Sequence, residues 1–67
     1  MDDSAISAAV SRFLRSATFG AQRELEKAVR QALASGTIRE GDVLTTGVTL
    51  SNEKLSLNVT IYNKLEL

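Results

Sequence analysis

The apolar residues of this chain change period once, at Gly36, and that change constrains the fold more than any other feature. Before Gly36 they recur at helical spacing, and after it they fall on every second position. Ile6, Ala9, Val10, Phe13, Leu14 and Ala17 sit at i, i+3, i+4, i+7, i+8 and i+11, one stripe of an amphipathic helix. Asp3 or Ser4 is a suitable N-cap, with the acidic pair Asp2 and Asp3 at the positive end of the helix dipole. Thr18-Phe19-Gly20 breaks the pattern, so a second helix is expected from about Ala21 to Ser35, carrying Leu25, Ala28, Val29, Ala32 and Leu33. Strong helix formers, Gln22, Arg23, Glu24, Glu26, Lys27, Arg30 and Gln31, fill its other face. Gly36 supplies the left-handed position that ends a helix without strain.

Beyond the Thr37–Asp42 connection the period is two. Leu44, Thr46, Val48 and Leu50 share one face of a first strand, and Leu55, Leu57, Val59 and Ile61 share one face of a second. Ser51-Asn52-Glu53-Lys54 has turn chemistry, which predicts a hairpin with Leu50 opposite Leu55, Val48 opposite Leu57, Thr46 opposite Val59 and Leu44 opposite Ile61. The expected fold is α+β in the order ααββ: two amphipathic helices packed on one face of an antiparallel β-hairpin. With 67 residues there is room for one small domain, residues 1–67, and no second core. The expected interior is Ile6, Val10, Phe13, Leu14, Phe19, Leu25, Val29, Leu33, Ile38, Leu44, Val48, Leu50, Leu55, Leu57, Val59 and Ile61.

Composition narrows function by exclusion. The chain has no Cys and no His. Disulfide frameworks, zinc fingers, haem ligation, cysteine nucleophiles and histidine-dependent triads are therefore closed to it. A serine nucleophile would need a lysine base, and no SxxK spacing occurs. Asp2, Asp3, Glu40 and Asp42 do not form a calcium-loop series, and the glycines match neither phosphate-loop spacing. No catalytic, cofactor-binding or metal-ligating residue is expected, and no cofactor. The longest uncharged run, Val43 to Asn52, is about half the ~20 residues a membrane helix requires. With an acidic start, where a signal peptide is basic, the expectation is a cytoplasmic protein with no membrane partner.

Residues Gln22-Arg23-Glu24-Leu25-Glu26-Lys27-Ala28-Val29-Arg30, continued by Ala32-Leu33-Ala34-Ser35-Gly36, resemble the central helix of a small uncharacterised bacterial protein family of about this length. Asp2, Asp3, Arg12, Phe13 and Leu14 match its acidic start and its basic residue before Phe-Leu. That family has a capping Ser where this chain has Ala21. The resemblance implies a bacterial protein and brings no activity with it.

Two function classes remain. In the first, the protein is a non-enzymatic interaction module that self-associates, as a homodimer. A two-stranded sheet has two open edges, and neither strand carries Pro or a charge between Val43 and Ser51 or between Leu55 and Asn63. Leu65 and Leu67 keep the parity of Ile61, so the second strand is expected to outrun its partner and to offer an edge at Asn58, Thr60 and Leu65 to a second copy. In the second, helix, turn, helix and hairpin form part of a winged helix-turn-helix, with Gln22, Arg23, Lys27 and Arg30 facing nucleic acid. The formal net charge of zero weighs against it.

Overall fold

The computed structural model describes residues 1–67, as a single helix α1 (Asp3–Ser35), a strand β1 (Val43–Asn52) and a strand β2 (Leu57–Glu66). The fold is α+β: one helix followed by an antiparallel hairpin. The chain divides into two compact units, Met1–Thr37 and Ile38–Leu67, each described by itself below.

The expected break at Thr18-Phe19-Gly20 does not occur; α1 runs through it for 33 residues. The correction has a simple cause. A lone Gly inside a helix costs only about 1 kcal/mol relative to Ala, and no Pro removes an amide donor. Ala17 and Ala21 are four residues apart across Gly20, so the stripe crosses it in phase. Both ends of α1 are closed by their own side chains and backbone. Asp2 is the N-cap, one residue before the expected pair, and its Oδ1 accepts from the Ala5 N–H at 2.7 Å. Gly36 adopts φ 76°; its N–H donates to the Leu33 carbonyl at 3.2 Å, and the Thr37 N–H donates to that of Ala32 at 3.0 Å. These two bonds form a Schellman cap, which satisfies carbonyls the helix leaves unpaired.

In the second unit, Leu44 faces Leu65, Thr46 faces Asn63, Val48 faces Ile61, Leu50 faces Val59 and Asn52 faces Leu57. The parity of every strand residue is as expected, but the register is not. Leu55 is outside the strands, in a turn over Glu53–Ser56. Asn52 starts that turn, its Oδ1 accepting from the Leu55 N–H at 3.0 Å, and Ser56 closes it with φ 51° and an N–H bonded to the Glu53 carbonyl at 3.0 Å. The Asn side chain mimics a backbone turn, which moves the loop two residues along the chain. A shift by an even number keeps each side chain on its face.

The base of the hairpin is tied as well. Arg39 N–H donates to Asp42 Oδ2 at 3.0 Å, Gly41 N–H to the Leu67 carbonyl at 3.1 Å, and Leu67 N–H to the Asp42 carbonyl at 2.9 Å. Leu65 and Leu67 are thus engaged with the first strand and its lead-in, and the two strands are equal in length. The expected overhanging tail is absent.

The expected interior is also absent. No residue of the chain is buried. Val29, Ile38, Leu44 and Leu50 are half-buried, and the other twelve members of the expected core are exposed.

Candidate self-association surfaces

The hairpin presents an apolar face made by Leu44, Val48 and Leu50 of β1 with Leu57, Val59, Ile61 and Leu65 of β2. Its other face is polar and internally bonded. Thr49 Oγ1 and Thr60 Oγ1 are 2.9 Å apart, and Lys64 Nζ donates to Thr45 Oγ1 at 2.9 Å. Both are directly opposed pairs in the register.

The edge of β2 follows from the same ladder. In an antiparallel pair, alternate residues bond inward and outward. The Leu67-to-Asp42 bond sets the phase, so Leu57, Val59, Ile61, Asn63 and Leu65 bond toward β1. Asn58, Thr60, Tyr62 and Lys64 then turn their backbone groups away from it. The Lys64 N–H meets Asn63 Oδ1 at 2.8 Å, which removes one donor from the open edge. Asn58 and Thr60 keep theirs. Leu65 does not belong with them: it faces Leu44 and bonds inward.

On α1, the proposed nucleic-acid residues are partly engaged. Glu26 accepts from Gln22 Nε2 at 2.9 Å and from Arg30 Nη1 at 3.5 Å, each through a separate oxygen. The Arg23 guanidinium lies over the Phe19 ring, 5.9 Å from its centroid, a cation–π distance. Lys27 shares the surface with these groups but is not drawn into the cluster. An exposed i,i+4 pair such as Glu26–Arg30 adds only about 0.3–0.5 kcal/mol to a helix.

Sequence reasoning split the helix and so missed that it runs unbroken from Asp3 to Ser35. The in-phase spacing of Ala17 and Ala21 was the available signal. No set of three or more Asp or Glu side chains is grouped so as to hold a metal ion. No helix is long and apolar enough to cross a membrane.

The profile of one protein family covers the whole chain, residues 1–67. The chain belongs to DUF6494, a family of unknown function. That agrees with the resemblance seen in the helix, and extends it through the hairpin. No curated protein and no solved structure matches the chain.

Proposed function

We propose that the protein is a non-enzymatic interaction module whose first partner is a second copy of itself. One observation carries this reading: no side chain of the single chain is buried, while Ile6, Val10, Leu14, Leu25, Val48, Val59 and Ile61 stand exposed in ordered elements. Apolar surface in water is the main driving force for association, and each large side chain covered is worth about 1.5–3 kcal/mol. An isolated two-stranded hairpin is marginal in water, and so gains most from a partner. A bacterial, cytoplasmic setting is part of the same reading. The nucleic-acid alternative has less behind it, because the formal net charge is zero and Glu24 and Glu26 stand among the basic residues of α1.

Sedimentation equilibrium over a wide concentration range tests the proposal. A dimer that dissociates on dilution is expected; a strict monomer at high micromolar concentration overturns it. Asn58→Pro refines the test. It removes an outward N–H from the β2 edge while leaving the inner ladder and the Thr49–Thr60 hydroxyl bond intact. Weaker association in this variant assigns the edge to the interface, and unchanged association removes the edge from it.

A further inference from the structure

The two edges of the hairpin are not equivalent. Leu44, Thr46, Val48, Leu50 and Asn52 bond inward to β2, so Val43, Thr45, Gly47, Thr49 and Ser51 turn their N–H and C=O groups to the outer edge of β1. No other backbone group bonds to these amides. β1 has no charged residue from Val43 to Asn52, and the chain has no Pro. Charges and prolines are the usual means of keeping an edge strand from pairing. The outer edge of β2 has such protection. Lys64 and Glu66 stand among its outward residues, and Asn63 Oδ1 occupies the Lys64 N–H at 2.8 Å.

The β1 edge is also complementary to itself. With a second β1 antiparallel to it about a two-fold axis at Gly47, Val43 lies opposite the partner's Ser51, Thr45 opposite the partner's Thr49, and Gly47 opposite the partner's Gly47. Every outward residue meets an outward residue, so the strand is bonded along its whole open side. On the apolar face, Leu44 meets the partner's Leu50 and Thr46 meets the partner's Val48. On the polar face, Thr45 and the partner's Thr49 form a threonine pair, a favourable cross-strand contact. A slip of one residue sets outward groups against inward ones and turns the two apolar faces to opposite sides. A slip of two shortens the overlap. No like charges oppose each other, because β1 carries none.

We infer that the protein dimerises through the outer edge of β1, in one continuous sheet of order β2-β1-β1-β2 across a two-fold axis. The inference rests on the self-association reading and names its contact. The apolar faces of the two hairpins join into one, on the same side of the sheet. A second copy fits this edge because the contact closes. A β1–β1 pairing leaves only the protected β2 edges outside, so assembly stops at two. Pairing of β1 with a partner's β2 would leave an open β1 edge at one end and grow into a filament.

The chain has no cysteine, so single-cysteine variants read the register directly. Val43 and Ser51 are exposed, at opposite ends of β1. Val43→Cys and Ser51→Cys, mixed and oxidised, are expected to form the mixed disulfide, since opposed residues stand about 5.5 Å apart at Cα. Val43→Cys alone is expected not to couple with itself, because two copies of residue 43 stand about 27 Å apart along the strands. Self-coupling of Val43→Cys in place of the mixed product overturns the register. Should either variant fail to fold, Thr45→Cys with Thr49→Cys repeats the test nearer the axis. Asn58→Pro, on the β2 edge, is expected to leave the yield of mixed disulfide unchanged. A loss of yield, with the hairpin still folded by circular dichroism, moves the contact to β2 and overturns the proposal. A sedimenting dimer with no disulfide in either mixture overturns the β1 edge and leaves self-association standing. A monomer overturns both.

Discussion

The ring of Tyr62 lies across Gly47, its register partner on the polar face of the hairpin. A Cβ built on Gly47 would stand 2.8 Å from Tyr62 Cε1 and 2.9 Å from Thr60 Cγ2. Glycine in a strand interior usually weakens the strand, and here it marks a close approach. The missing side chain is what lets the tyrosine lie flat on the sheet.

Gly47→Ala is therefore expected to destabilise the protein by about 1–2 kcal/mol, in spite of alanine's better strand propensity. Tyr62 is 68% exposed, so its ring can swing out, but it then loses its contact with the strand. The Thr60 methyl has less freedom, since turning it breaks the 2.9 Å bond to the Thr49 hydroxyl. Thermal melts of Gly47→Ala and of Gly47→Ala with Tyr62→Ala separate the two terms. A single variant as stable as wild type would show that the approach is not tight.

Gly20→Ala tests whether α1 is continuous. Nothing lies within 4 Å of a Cβ placed at Gly20, so the substitution meets no clash. In an unbroken helix it adds about 0.5–1 kcal/mol of stability by lowering the entropy of the unfolded chain. Higher helical content and a higher melting temperature by circular dichroism are expected. A loss of stability would mean that Gly20 serves a turn, and that two helices are present after all.

Association links stability to concentration. If a second copy covers the apolar surfaces, raising the protein concentration a hundredfold adds up to about 2.7 kcal/mol of apparent stability. The melting temperature is expected to climb accordingly. Leu57→Ala sharpens the check. Leu57 is 38% exposed in the single chain, yet the full cost of about 2–5 kcal/mol for a covered leucine is expected at high concentration. A melting temperature independent of concentration contradicts the association.

For nucleic acid, the expectation is binding no tighter than the ~10⁻⁴–10⁻⁶ M non-specific range at physiological salt. Fluorescence anisotropy with duplex DNA and with RNA measures it. Tight, sequence-selective binding that is lost in the double variant Arg23→Ala with Arg30→Ala would turn the α1 surface into a nucleic-acid face, and would displace the interaction reading.

The sequence alone determined the two halves of the chain, the boundary at Gly36, the side of the hairpin on which each strand residue lies, and the family likeness of the central helix. These are local properties: a period of 3.6 or 2 and a capping glycine need no knowledge of distant residues. The helix count, the register and the strand ends were decided by the folded chain. Thr18-Phe19-Gly20 reads as a break only until the in-phase alanines on either side are joined. Asn52 moved the turn by two residues because its side chain, and not the apolar pattern, chose where the loop begins. Parity survived that shift because two is even, whereas the unpaired tail at Leu65 did not survive it. The outward direction of the Asn58 and Thr60 amides follows from the pairing register, and so does the pairing of Leu65 with Leu44, which an alternating apolar pattern does not specify. Burial was the least legible of all: an apolar stripe states which residues leave water, but only the assembled structure states what covers them.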